Sequence, residues 1–121
     1  MEINIITIAD ENIAEIVGEG VFIKTADEAV QLMMDCKYGH NAYKAIFYQE
    51  NITADFFALK TKLAGEILQK FTQYGFDIAI VGEFSSYGSK SLNDFIYESN
   101  KGGKINFVES KAVALEKLSK P

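Results

Sequence analysis

The sequence predicts a single α/β domain: a mixed sheet with an N-terminal antiparallel hairpin and parallel β-α-β units, covered by about four helices. Two short apolar runs, at residues 45–48 and 78–81, lack the alternation of half-exposed strands. This is typical of strands that are covered on both faces of a parallel sheet. The segment between them predicts a helix, and a helix that joins two parallel strands forms a right-handed crossover.

The connecting segment, residues 55–74, has apolar side chains three or four positions apart. These are Phe56, Leu59, Leu63, Ile67, Phe71 and Tyr74. Such spacing places one apolar stripe along an amphipathic helix. We therefore expect a single helix of about 20 residues, roughly 30 Å long, to cover the two buried strands.

The segments before this unit predict a hairpin. Residues 3–9 and 13–17 are rich in β-branched side chains, and a polar turn separates them. This pattern is typical of an antiparallel hairpin at the edge of a sheet. Residues 21–23 are expected to add a short third strand.

A first helix is expected to follow the hairpin. Thr25 and Glu28 have the spacing of a capping box, in which each side chain takes a free backbone amide at the helix start. Gly39 is suited to end this helix, because glycine adopts a positive φ without steric cost. The side chains expected to face the core are Ala29, Val30, Met33 and Met34.

The C-terminal third predicts a helix, a short strand and a last helix. Ser89 or Ser91 is expected to cap the helix, and the glycine pair at 102–103 to end it. Residues 105–108 predict the strand, and Ser110 is expected to cap the last helix. The predicted order is thus hairpin first, then helices alternating with strands.

Charge and composition disfavour several functional classes. A net charge of −5 and a pI near 4.8 argue against nucleic acid as a partner, since such binding needs a cationic surface. All twelve basic residues are lysines, so the planar guanidinium that grips phosphate in two places is missing. No segment approaches the roughly 18 apolar residues of a membrane span, and the first residues lack the positive region of a signal peptide. We therefore expect a cytoplasmic protein with no membrane partner.

The single cysteine and the single histidine predict no chemistry. Cys36 lies beside two methionines and is expected to be a buried thiol in a reducing compartment. His40 has no second histidine or paired cysteine with which to hold zinc, so we interpret it as an exposed loop residue. No metal and no cofactor are predicted.

Three stretches carry a resemblance to a known family. They are residues 55–71, residues 79–85 and residues 89–102. Together they resemble the domain of unknown function 4180 family over nearly the whole chain. The resemblance implies no activity, because that family is uncharacterised.

The order of elements also resembles the STAS domains, the fold of anti-sigma-factor antagonists. Those domains have a strand, a long helix, a strand ending in Val-Gly, a helix, a short strand and a terminal helix. Their phosphorylation motif, similar to Asp-Ser-Ser-Gly, opens the long helix. Here it would fall near residues 57–60, which have no hydroxyl group, and Thr61 is the nearest one. The resemblance implies a STAS-like fold, while this departure argues against phosphorylation as a switch.

The STAS resemblance implies a non-enzymatic binding or regulatory module. Its protein partner would contact the start of the long helix and the adjacent loop at residues 83–91. The partner-binding residues predicted in this way are Thr53, Asp55, Phe57, Lys60, Thr61 and Lys62.

An alternative hypothesis is a small-molecule or metal-assisted site at the carboxyl ends of the parallel strands, where ligands gather in such sheets. Its predicted residues are Glu50, Asn51, Glu83, Ser85, Ser86 and Ser89. If the two central strands are neighbours, Glu50 and Glu83 would share a cation or a proton. The competing interpretation is that both carboxylates are solvated and that the loop simply ends in a serine cap.

A homodimer is a third hypothesis. Phe57 and Leu68 lie off the main apolar stripe, so the apolar surface is wider than one sheet face needs. With Phe56, Tyr74, Phe84 and Tyr87 they form either a subunit interface or a wide core stripe.

Overall fold

The computed structural model describes residues 1–119 and contains a five-stranded sheet. Its strands lie side by side in chain order: β1 (Glu2–Ile8), β2 (Glu11–Val17), β3 (Ala42–Tyr48), β4 (Asp77–Val81) and β5 (Ile105–Val108). The first pair is antiparallel and the following pairs are parallel. The predicted α/β class and mixed sheet are confirmed.

Four α-helices cover the sheet unequally: α1 (Ala26–Met34), α2 (Leu63–Gln73), α3 (Lys90–Gly102) and α4 (Lys111–Leu118). On one face, α1 and α2 bury the larger core, which includes Ala45 and Phe47 of β3. On the other face, α4 covers a smaller cluster around Ile46. Successive β3 side chains thus enter two different apolar layers, which explains the unbroken apolar run. None of the helices in residues 1–119 is long and apolar enough to cross a membrane.

The hairpin and the helix caps form as predicted, because their hydrogen bonds join residues close in sequence. Ala9 and Asp10, both with positive φ, make the two-residue turn between β1 and β2. The Thr25 hydroxyl accepts from the Glu28 amide at 3.1 Å, while the Glu28 carboxylate accepts from the amide of Lys24. Three further capping and stop predictions are also confirmed, at Ser89, Gly103 and Ser110.

The end of α1 differs from the prediction. Gly39 does not terminate the helix with a positive φ; it lies in a π-helical turn, Asp35–Gly39, and the positive φ is at Asn41. The wider turn continues from α1 and keeps Cys36 buried, as predicted. Burial, together with the negative charge of Asp35, raises the pKa of this thiol to about 11. Cys36 is therefore an inert core residue.

The predicted third strand is wrong. Residues 21–23 contribute only one isolated bridge, in which Ile23 pairs with Ile52. The carbonyl of Asn51 accepts from the amides of Phe22 and Ile23, and the Thr53 amide donates to Ile23. The segment is held by the turn after β3, which lies beyond the end of the sheet.

The prediction of one long helix over residues 55–74 is also wrong. Two short 3₁₀ turns, Ala54–Phe57 and Leu59–Thr61, precede α2, and Lys62 has a left-handed backbone with φ of 66°. The Thr61 hydroxyl donates to two backbone carbonyls of this segment, and such local side-chain to backbone hydrogen bonds compete with an α-helix. Phe56 and Phe57, in the first of these turns, are both buried, and their rings meet edge to face at 4.9 Å.

The terminal helix buries a narrow stripe of side chains against the sheet. Ala114 and Leu118 are fully covered, whereas Val113 and Leu115 are half-buried. In the third helix, Leu92 is buried in the larger core that α1 and α2 cover, and Phe95 and Ile96 pack partly against that core.

Candidate functional site

A surface groove lies beyond the carboxyl ends of β3 and β4. We call it the strand-end groove; it has a volume of about 520 Å³. One wall comes from the 3₁₀ segment after β3 and the other from the loop and helix start after β4. It is lined by Ala54, Phe57, Ala58, Leu59, Lys60, Tyr87, Ser89 and Ser91. The two segments that the sequence predicted as a working surface therefore meet in one groove.

Aromatic rings form the floor of the strand-end groove. The rings of Phe57 and Tyr87 stack with their centroids 5.2 Å apart and an interplanar angle of 18°. The ring of Phe84 also contacts that of Phe57, with the centroids 5.8 Å apart. Since Phe57 is only 4% exposed, it supports the groove from the core. The apolar residues Phe56, Phe57 and Leu68 belong to the ordinary core.

Gln49 holds in place the far wall of the groove, which is the wall formed by the loop after β4. Its carbonyl oxygen accepts from the Glu83 amide at 2.8 Å, and its amide donates to the Tyr87 hydroxyl at 2.6 Å. Gly82 packs directly on this side chain: a Cβ there would lie 2.6 Å from the Gln49 Cβ, which real structures do not allow. Glycine at position 82 is therefore what lets Gln49 reach both partners.

The predicted partner-binding residues have different environments. Phe57 and Lys60 line the groove, and Lys60 is exposed at its rim. Asp55 and Lys62 are exposed outside the lining. Thr61 is exposed, but its hydroxyl donates to the carbonyls of Asp55 and Ala58, at 2.6 Å and 2.9 Å. The sixth residue, Thr53, is half-buried and pairs through its backbone with the loop before α1.

The alternative ligand residues do not converge on one point. Asn51 is buried and donates to the backbone of the loop after β2. Glu83 and Ser85 line a second groove of about 480 Å³ between α3, β5 and α4, whereas Ser89 caps α3. Glu50 and Ser86 are exposed. Within residues 1–119 no three His, Cys, Asp or Glu side chains are placed to hold a metal ion.

The Glu83 carboxylate is already hydrogen-bonded within its own loop. Its carboxylate accepts from both the amide and the hydroxyl of Ser85, and these hydrogen bonds lower the pKa of Glu83. The carboxylate therefore acts as a turn-forming group in this structure.

Sequence reasoning missed a polar cluster on the α4 face of the sheet. Glu15 of β2 is only 7% exposed, yet its carboxylate accepts from the Tyr48 hydroxyl at 2.5 Å and from the Lys111 ammonium at 3.2 Å. Burial alone would raise the pKa of Glu15, but the hydrogen bonds from Tyr48 and Lys111 outweigh it and lower that pKa. For Tyr48, burial first and the hydrogen bond to Glu15 second raise the pKa. The one signal in the sequence was a glutamate inside the apolar run at 13–17.

We expect Glu15→Gln to lower the free energy of unfolding by about 1–2 kcal/mol at pH 7, since a charge-assisted hydrogen-bond network is lost. The folded-state pKa of Glu15 is lowered from the ordinary value of 4.5, so its contribution is complete above pH 4.5. That contribution disappears as the pH falls through the lower folded-state pKa. Urea unfolding of both proteins between pH 3 and 7 checks this, with the exposed Glu98→Gln as control. A difference between wild type and Glu15→Gln that does not shrink in acid would contradict the assignment.

A family model described as a domain of unknown function (DUF4180) matches residues 8–118. The chain belongs to the DUF4180 family. The match runs from the last residue of β1 to the last residue of α4, so it contains the groove and the Glu15 cluster. Comparison with curated proteins and with solved structures found no match. The family description assigns no activity to this DUF4180 domain.

Proposed function

We propose that this DUF4180 domain is a non-enzymatic binding module that captures a short segment of a partner protein in the strand-end groove. The observation that carries the proposal is the convergence of two chain segments on one groove with an aromatic floor. The proposed role as a regulatory module follows the STAS resemblance, in which the partner contacts the corresponding segment.

The chemistry of the groove favours a peptide with an apolar anchor. Tyr87 is 38% exposed and lies flat on Phe57, which offers a rigid ring surface at little entropic cost. Lys60 is the charged group of the lining and lies next to this surface. A partner segment with one aromatic or aliphatic side chain and a neighbouring carboxylate would satisfy both features.

Filling the groove from its rim tests the proposal without touching the core. Ser91 is exposed and lines the groove, so Ser91→Trp would occupy it. Asn93, two positions along α3, is exposed and outside the lining, which makes Asn93→Trp the matched control. Peptides would be selected against the pure wild-type protein from a displayed random library, and their affinities measured by calorimetry.

We expect Ser91→Trp to weaken the selected peptides at least tenfold, equivalent to about 1.4 kcal/mol, and Asn93→Trp to leave the affinity unchanged. Lys60→Glu is expected to weaken those peptides that carry a carboxylate. All three variants should melt within a few degrees of wild type, since none of these side chains is buried. A library that yields no binder, or binders indifferent to Ser91→Trp, would overturn the proposal.

The alternative hypothesis is a small-molecule or metal-assisted site at the strand ends. A melting-shift screen against divalent metals, nucleotides and small metabolites distinguishes it from the peptide groove. A ligand at about 100 times its dissociation constant adds roughly 2.7 kcal/mol of stability. A shift that Glu83→Gln abolishes would favour the ligand site over the peptide groove.

A further inference from the structure

The two edge strands of the sheet, β5 and β1, differ in how their outer backbone groups are hydrogen-bonded. At β5, which has four residues, the Asn100 side chain closes the outer edge: it accepts from the Phe107 amide at 2.7 Å and donates to the Phe107 carbonyl at 3.2 Å. At β1, which has seven residues, no side chain within residues 1–119 hydrogen-bonds to the outer backbone in this way. Open strand edges readily pair with another strand. The chain therefore protects one edge and leaves the longer one open.

The hairpin turn determines which backbone groups of β1 are free. Across a two-residue turn, the flanking residues Ile8 and Glu11 form a hydrogen-bonded pair, and such pairs recur at every second position. The even-numbered residues of β1 are thus bonded to β2. The odd-numbered ones, Ile3, Ile5 and Thr7, direct their N–H and C=O groups outward.

This outer edge is complementary to a second copy of itself. With an antiparallel partner centred on Ile5, the two Ile5 residues face each other, and Ile3 faces the partner's Thr7. Each facing pair exchanges two backbone hydrogen bonds. In the same register Glu2 faces the partner's Ile8 and Asn4 faces the partner's Ile6, so no like charges are opposed.

β1 also lacks the features that usually block such pairing. It contains no lysine and no proline, and its register with β2 shows no bulge. Its Ile5 side chain, 37% exposed, would gain apolar cover from the partner copy.

We propose that two copies of this protein pair through β1, antiparallel and with Ile5 on the two-fold axis, to form one continuous sheet with five strands from each copy. The proposal does not depend on the strand-end groove, because β1 contributes none of its lining.

Sedimentation velocity over a range of protein concentrations tests the pairing. The wild type is expected to dimerise as the concentration rises. Ile5→Lys places two ammonium groups opposite each other and should give a monomer, whereas Ile5→Thr keeps a strand-forming side chain and should still dimerise. Circular dichroism confirms that each variant is folded.

Cysteine cross-linking gives an independent result if Ile5→Lys fails to fold. On the two-fold axis, the Cα atoms of a hydrogen-bonded pair are about 5.5 Å apart, within disulfide reach. We expect Ile5→Cys to form a disulfide dimer under mild oxidation. Thr7→Cys is the control: its two copies would be separated by about 14 Å along the strands and should remain reduced.

The native Cys36 is buried and does not compete. A wild type that stays monomeric at every concentration, a dimer that survives Ile5→Lys, or equal cross-linking of both cysteine variants would overturn the proposal. A dimer that survives the lysine would place the interface on another surface.

Discussion

Asn51→Asp is expected to lower the free energy of unfolding by roughly 3–5 kcal/mol at pH 7, because it buries a carboxylate without a partner. Asn51 is 1% exposed, and its amide donates to the carbonyls of Gly18 and Gly20, both at 2.9 Å. Aspartate of the same shape has no donor for these carbonyls and faces them with negative charge. The remaining oxygen of Asn51 has no hydrogen-bond partner among residues 1–119, so nothing there would compensate the charge.

The pH dependence separates this cause from a loss of packing. A buried carboxylate without donors has a folded-state pKa raised above the unfolded value. Its cost is therefore small below the unfolded pKa of about 3.9 and grows as the pH rises towards the folded-state pKa. Urea unfolding between pH 4 and 8 should show this growth for Asn51→Asp, while Asn51→Ala should differ from wild type by a constant amount.

The exposed Asn93→Asp is the matched control and should change stability by less than about 0.5 kcal/mol. If Asn51→Asp were as mild as this control, the loop after β2 would not depend on the Asn51 amide.

Phe71→Ala is expected to lower the free energy of unfolding by roughly 3–5 kcal/mol, the range for a large ring removed from a packed core. Phe71 of α2 is 2% exposed and lies parallel to Phe47 of β3, with ring centroids 5.8 Å apart and planes 2° apart. It also contacts Phe76 at 5.8 Å. Thermal and urea unfolding measure the loss, with Tyr74→Ala as control because Tyr74, at the end of the same helix, is 40% exposed. A similar loss for both variants would contradict the central role of this ring.

The features that were predicted correctly depend on residues that lie close together in the sequence. The strands β3 and β4 were recognisable because burial on both faces leaves an unbroken apolar run. The caps at Thr25, Ser89 and Ser110 were recognisable because each hydroxyl accepts from an amide three residues away. Such signals lie within one short stretch of chain, so they can be interpreted without knowing what packs against it.

The predicted long helix failed because its apolar spacing continues through segments that are not α-helical. Phe56 and Leu59 fit the helical stripe, but the first lies in one 3₁₀ turn and the second in the next. The Thr61 hydroxyl and the left-handed backbone of Lys62 separate these turns from α2. The spacing of apolar residues indicates which side chains become buried. It does not indicate the backbone conformation that buries them.

The sequence by itself determined the class of the fold, the N-terminal hairpin and the alternation of helices and strands after it, and it indicated the two segments that we propose as the working surface. Only the tertiary structure decided that Phe57 supports the groove from the core, that Gln49 ties its far wall, and that Glu15 meets Lys111 across 96 positions. The open edge of β1 likewise depends on which strand ends up outermost. One physical reason explains why the first set of features could be predicted and the second could not. Local hydrogen bonds and burial patterns depend on residues within one short stretch of the sequence. Contacts between distant segments exist only after the whole chain has packed.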